Sequence, residues 1–324
     1  MKFRTEYEAR KSDITITPQE PVVGIGSCFA ANIVNRMRDC LWNAINPLGT
    51  LFNPMSIEKV LRLCLIDTDS QNKFKETLFS DEGVVHSWLF DSSLSGFSEM
   101  EIVEKFKKSQ GQLIENLLKG KTLIITFGTA FCYFKSSNPE YVVSNCHKQP
   151  SNLFVRRQIT ANEIMEIWKS LLIDLKKLIP EIKVIFTVSP VRHIRDGLHE
   201  NNISKGILLT AVDELCRMFD FCHYFGAYEI VIDDLRDYRF YADDLVHPSD
   251  SAVEYIWEKF QEEYLDKKGK EIIKRGESIC KRMKHRPIIA TESQKEEFHK
   301  ETSKLFESFH SQYPDTLNPK TDMD

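Results

Sequence analysis

The stretch Pro21-Val22-Val23-Gly24-Ile25-Gly26-Ser27-Cys28-Phe29-Ala30 decides the fold. Its first half is a short apolar run with β-branched residues, the pattern of a strand covered on both faces. From Ser27 onward the spacing changes, and Phe29, Ala30, Ile33, Val34 and Met37 fall on one face at helix period. Ser27 therefore stands at a strand-to-helix junction, the opening of a βαβ unit.

The rest of the chain repeats this alternation. Buried-type strands are expected at Thr122–Phe127, Lys183–Val188 and Tyr228–Ile232. Helices are expected from Ala161 to Ile179 and from Ile203 to Met218, the latter with a stripe of Ile207, Leu208, Ala211, Val212, Leu215 and Met218. Ser251 and Glu254 have capping-box spacing, so another helix should begin just after His247. Alternating strands and helices imply right-handed crossovers and a mainly parallel sheet: an α/β, three-layer α/β/α fold of flavodoxin-like type with about five strands. Residues 55–120 read as a helical insertion with an aperiodic patch at His86-Ser87-Trp88-Leu89-Phe90-Asp91-Ser92-Ser93. From residue 266 the chain turns rich in Lys and Glu and reads as a helical C-terminal extension with a frayed tail past Pro314 and Pro319. The expected division is a domain over 1–265 and the extension over 266–324.

Composition narrows the function classes. The 324 residues are 42% hydrophobic and 28% charged, an ordinary globular balance. With 43 basic residues against 48 acidic ones, a net charge of −5 provides no electrostatic footprint for nucleic acid or an anionic membrane. The basic runs at 267–270 and 281–286 read as solvated helix faces. The opening Met1-Lys2-Phe3-Arg4 lacks a signal-peptide pattern, and no run approaches the roughly 20 apolar residues of a membrane span. Eight cysteines without a CxxC pair read as reduced thiols, so a cytoplasmic location is expected. No cofactor or metal is called for, since a zinc site from Cys132, Cys146, His147 and His193 lacks ligand spacing. Oligomeric state is not legible.

In an open parallel sheet, ligands bind beyond the carboxyl ends of the strands. The residues expected there are Ser27 and Cys28, then Gly128-Thr129-Ala130, then Ser189-Pro190-Val191-Arg192-His193, with Asp243-Asp244-Leu245-Val246-His247-Pro248 downstream. Ser27 reads either as a plain N-cap or as a nucleophile with helix N–H groups beside it. Asp244 and His247 read either as an ordinary turn or as an orienting and proton-accepting pair. Cys28 at a helix N-terminus is a second possible nucleophile, set behind Ser27 because the next side chain is expected to point into helix packing. Asn145-Cys146-His147-Lys148 is either a donor loop or a capped turn. Arg192 and His193 either contact a substrate carboxylate or phosphate, or form a structural salt bridge.

Gly26-Ser27-Cys28-Phe29-Ala30 resembles the name-giving motif of the GSCFA proteins, which look like a branch of the SGNH (GDSL-like) hydrolases. The resemblance extends through 46–54, 145–148, 189–193 and 233–241. It implies a serine hydrolase in which Ser27 is the nucleophile, Asp244 and His247 the Asp-x-x-His pair, and Gly49 an oxyanion donor beside Cys28. One position departs: the asparagine that such enzymes place two residues after the glycine is here Ala130, which cannot donate. Either Thr129, Asn145 or His147 is expected to substitute as donor, or the activity is low, with His147, Arg192 and His193 contacting substrate. The substrate implied is a small-molecule or glycan-linked acyl group. Acyl transfer to a sugar or polyol hydroxyl, or a catalytically silent glycan- or peptide-binding module, are the alternatives.

Overall fold

In the computed structural model, residues 4–285 and 291–318 are described. Five strands form the central sheet: β1 (Val22–Gly26), β2 (Ala44–Ile45), β3 (Thr122–Phe127), β4 (Lys183–Val188) and β5 (Cys222–Tyr224). All neighbours are parallel, in the order β5-β4-β3-β1-β2. This is the flavodoxin-like order, which reverses direction between β1 and β3.

Successive strand residues feed opposite layers. Val22, Ile124 and Ile185 join Phe29, Ile33 and Met37 of α1 (Cys28–Arg38) and Ile256, Trp257 and Phe260 of α6 (Asp250–Tyr264). Val23, Ile25, Leu123, Ile125 and Phe186 face the other layer, formed by α2 (Pro54–Leu65), α3 (Glu99–Gly120), α4 (Ala161–Leu178) and α5 (Leu198–Met218). Trp168 of α4 is fully buried there, and its ring N–H donates to the Pro54 carbonyl at 3.1 Å. Truncating such a side chain to Ala costs roughly 3–5 kcal/mol, so this layer is a main source of stability.

Three expectations need correction. The run Tyr228–Ile232 is helical, a turn at Ala227–Glu229 continuing into a π-turn at Ile230–Asp234, and the edge strand is Cys222–Tyr224 instead. The reason is periodicity: Ala227, Ile230, Val231, Asp234 and Leu235 are the buried positions, a spacing of three and four that the shorter window concealed. Helix α6 is capped by Ser249, which accepts from the Ala252 N–H, and not by Ser251. Within 55–120, α2 and α3 are layer helices, and the addition proper is the hairpin Leu78–Asp81 with Val84–Ser87. A second addition, unread in the sequence, is the antiparallel sheet of Phe131–Lys135, Asn138–Val143 and Phe154–Gln158 between β3 and α4.

The extension forms a hairpin of α7 (Lys267–Lys284) and α8 (Glu292–Gln312), whose Ile272, Ile279, Phe306 and Phe309 pack with Leu41. Arg36 of α1 binds Glu254 through Nε (2.7 Å) and Nη2 (2.8 Å), and Glu277 of α7 through Nη2 (2.8 Å). The chain is still engaged at Leu317, whose N–H donates to Leu41, while the expected frayed end from Pro319 lies outside the described residues. Among the described residues, no helix is long and apolar enough to cross a membrane.

Candidate functional site

Register brings the strand ends together. Gly26 pairs with Thr126, and Thr126 with Thr187, so the segments following β1, β3 and β4 leave the sheet at one edge. That edge includes the switch point between β1 and β3, where this strand order opens a crevice. Gly26 has φ +141°, and a Cβ there would stand 2.2 Å from the Thr126 carbonyl oxygen. Only glycine allows β1 to end so close to β3. The Gly26 carbonyl then accepts from Leu51 at 2.8 Å, which draws the Gly49 loop alongside.

At this edge the side-chain geometry separates two neighbours. Ser27 is the N-cap of α1 by position, but its hydroxyl makes no capping bond, and its Oγ is buried without a hydrogen-bond partner. Cys28 is half-buried, and its Sγ lies 3.6 Å from Nε2 of His247. No hydrogen bond joins Ser27 to His247, so the expected serine–histidine contact is replaced by a cysteine–histidine one. The physical reason is the helix start: with extended dihedrals at Ser27 (φ −66°, ψ 173°), the N1 residue, Cys28, turns its side chain toward the 242–249 loop.

His247 is oriented from behind. Its Nδ1–H donates to Asp244 Oδ2 at 2.6 Å, a contact that assigns the tautomer and leaves the Nε2 lone pair toward the thiol. Asp244 Oδ1 accepts from the backbone N–H groups of His247 and Val246, both at 2.9 Å. These two bonds and the imidazole hold the Asp244 carboxyl down at about 2. The loop is clasped by Ala242 N–H donating to the His247 carbonyl (2.8 Å) and Ser249 N–H to that of Phe240 (2.9 Å).

The thiol is under opposing influences. Burial pushes Cys28 up, while the N–H groups of Phe29 and Cys28 and the charge of Lys205 draw it down, and the net direction is up. The resting group is a neutral thiol beside a base, in contrast to a preformed thiolate.

Lys205 was not foreseen. It is 1% exposed, and its Nζ donates to the carbonyls of Gly128 (2.6 Å) and Ser189 (2.7 Å), fastening the segments after β3 and β4. Burial pushes its ammonium from 10.5 down to about 7. Ser204 beside it accepts the Ala130 N–H (2.7 Å), and Asn201 accepts the His193 N–H (3.0 Å). A signal existed: Asn201, Ser204 and Lys205 continue, at three- and four-residue steps, the buried face of Leu208, Ala211, Val212 and Leu215. Polar residues on the buried face of a helix need partners, which here are these loops.

His193 reaches the same floor. A Cβ built on Gly128 would lie 3.3 Å from Ser27 Cβ and 3.6 Å from His193 Nε2. Burial, with the charge of Lys205 adding to it, pushes the imidazole down to about 4 against the pull of Asp196, so it is neutral. Neither ring nitrogen of His193 makes a hydrogen bond within the described residues, and Nε2 is free at the floor of the site.

Three expected contacts are engaged elsewhere. Thr129 donates its N–H to Phe52 (3.1 Å), and its hydroxyl accepts from Phe131 N–H and pairs with Ser204. Asn145 accepts from the His147 N–H in a local turn. His147 Nε2 faces the carbonyls of Ser87 (2.9 Å) and Phe90 (3.0 Å), pinning the added hairpin. Thr129 and His147 are committed to loop structure, Asn145 spends its side-chain oxygen on the turn, and Ala130 is buried. Arg192 is half-buried beside the loop of Asp244, and no salt bridge to it is found among the described residues. Among the described residues, no cluster of three His, Cys, Asp or Glu is placed to hold a metal ion.

The fold and this edge define an α/β protein whose switch-point crevice holds a thiol, an imidazole and a carboxylate in line. The family model of the GSCFA family matches residues 21–260, from β1 through most of α6. The chain belongs to the GSCFA family. No curated protein matches it.

Proposed function

We propose that this GSCFA protein is an acyl hydrolase whose nucleophile is the Cys28 thiol, with His247 as general base and Asp244 as its orienting partner. The observation that carries the reading is the Cys28–His247 contact at 3.6 Å, backed by the 2.6 Å bond to Asp244, beside a Ser27 hydroxyl that makes no hydrogen bond. The resemblance to SGNH hydrolases supports the reaction class, with the role of nucleophile moved by one residue.

Because burial raises the thiol, His247 Nε2 takes its proton as the sulfur attacks the acyl carbonyl. The carbonyl oxygen becomes an oxyanion, facing the N–H groups of Cys28 and Gly49. His193 supplies the donor that Ala130 lacks: a neutral imidazole presents an N–H without adding a charge that would compete for the His247 proton. Collapse of the adduct breaks the carbonyl–leaving-group bond, and His247 returns its proton to the departing oxygen or sulfur. Water, activated by the same imidazole, then cleaves the Cys28 thioester and restores the thiol. A sugar or polyol hydroxyl reaching the thioester in place of water would make the same machinery a transferase.

Turnover of a short-chain nitrophenyl ester by Cys28→Ala and Ser27→Ala variants tests the assignment. Loss of about 1,000-fold or more in kcat is expected for Cys28→Ala, with far smaller loss for Ser27→Ala and an acyl adduct on Cys28 detectable by mass spectrometry in the parent. The opposite ranking, with fluorophosphonate labelling at Ser27, would return the nucleophile to the serine. Absence of turnover and of any adduct would leave a binding module.

A further inference from the structure

A cavity of about 770 Å³ opens directly beside the Asp244 loop. Its wall contains Arg192, Tyr241, Asp244 and Leu245, together with Ile194 and Leu198. Ile194, Leu198 and Leu245 are each more than half exposed, so the cavity presents apolar surface that none of the described residues covers.

The polar part of that wall is one-sided. Arg192 is half-buried, yet it makes no hydrogen bond or ion pair within the described residues. Its neighbours in the chain behave otherwise: Arg156 pairs with Asp196 at 2.7 Å, and Arg236 of the same cavity with Asp233 at 3.4 Å. The hydroxyls of Tyr241 and of nearby Tyr228 also make no hydrogen bond, and both phenols feel the Arg192 charge, which opposes the upward push of burial. The acids at the rim are already held. Asp244 is engaged by His247 and Val246, and Asp237 accepts from the Arg239 N–H at 2.9 Å. The Arg192 guanidinium, with the Tyr241 phenol in the same cavity wall and Tyr228 near enough to feel its charge, thus offers hydrogen-bond donors that no acceptor among the described residues takes up. Leaving a half-desolvated guanidinium unpaired is costly, and an arrangement of this kind is satisfied by an anion with two or three oxygens.

We propose that this cavity is the acyl-side subsite of the site at Cys28 and that it selects acyl groups bearing a terminal anion, a carboxylate or a phosphate, held by Arg192 with Tyr241 and Tyr228. The substrate class is then an ester or thioester of an anion-terminated acyl chain, its methylenes lying along Ile194, Leu198 and Leu245. The cavity adjoins the relay, since Asp244 both lines its wall and bonds Nδ1 of His247. This rests on the acyl-hydrolase reading for its substrate claim, whereas the anion site itself does not depend on which residue is the nucleophile.

The experiment has a kinetic arm and a binding arm. In the first, kcat/KM is compared between mono-nitrophenyl glutarate and nitrophenyl butyrate. The ratio is expected to exceed about tenfold in the parent and to fall to about one in Arg192→Gln, mainly through KM, as for loss of a charge-assisted contact worth a factor of ten or more. In the second, Cys28→Ala protein is titrated calorimetrically with glutarate and, separately, with phenyl phosphate; binding of one or both is expected, lost in the Cys28→Ala/Arg192→Gln pair. Preference for glutarate assigns a carboxylate, and preference for phenyl phosphate a phosphate. Binding without turnover would keep the anion site and overturn the hydrolase. Turnover of both esters with a ratio near one in the parent, together with no anion binding, would keep the hydrolase and overturn the subsite.

Discussion

Replacing Lys205 by Met should change stability in a way that depends on pH, and the size of the effect follows from its surroundings. The ammonium is 1% exposed and pushed by burial from 10.5 to about 7, while its N–H groups serve the Gly128 and Ser189 carbonyls. The folded pKa lies below the unfolded one, so the unfolded chain binds more protons between those values. Stability attributable to this group therefore rises with pH across that window, is complete above the unfolded value, and is lost as pH falls toward the folded value. Between pH 7 and pH 9 the difference in proton affinity amounts to about 1.7 pKa-unit equivalents, or about 2 kcal/mol. Met removes this pH dependence and leaves two buried carbonyls unpaired, at about 1–3 kcal/mol each. Urea unfolding of parent and variant should show a stability gap about 2 kcal/mol wider at pH 9 than at pH 7; other titrating groups are shared and cancel. The same gap at both pH values, or a narrower one at pH 9, would refute the neutralised lysine.

Two further outcomes are expected. His193→Ala should lower kcat by roughly 100-fold or more while changing KM little, and His193→Gln, which retains an N–H donor, should recover part of the loss; equal kcat in His193→Ala and the parent would remove this residue from the oxyanion site. Arg36→Met should cost about 1–3 kcal/mol in urea unfolding, a partly exposed version of a broken buried pair, because it releases Glu254 of α6 and Glu277 of α7 together; a change under about 0.3 kcal/mol would mean that packing with Leu41 alone seats the extension.

Much of the site was legible as a set of positions. The segments after β1, β3 and β4 and the Asp-x-x-His turn could be assigned to one edge, because parallel strands of similar length must end together. Which of two adjacent residues meets the histidine was not legible. Ser27 and Cys28 differ by one step at a helix start, and about 100° of rotation separates their side chains, so the outcome depends on where the 242–249 loop is clasped. The asparagine missing at Ala130 was visible as an absence, while the donor proposed in its place was not, since His193 lies some sixty residues further along the chain.

By itself, the sequence determined the alternation of apolar strands and striped helices, and with it the layered parallel sheet. Hydrophobic period is a local property, set by 3.6 residues per helical turn or two per strand repeat. The same rule misread Tyr228–Ile232 only because the window was too short. Tertiary structure decided the pairing of polar groups: Lys205 with two carbonyls from different loops, Arg192 with none among the described residues, and His247 with the sulfur of Cys28 instead of the hydroxyl of Ser27. Such pairings depend on distances of a few ångströms between segments far apart in the chain, and no local period encodes them. The junction of β1 and α1 thus fixes where Ser27 and Cys28 stand, and the 242–249 loop decides which of them meets the imidazole of His247.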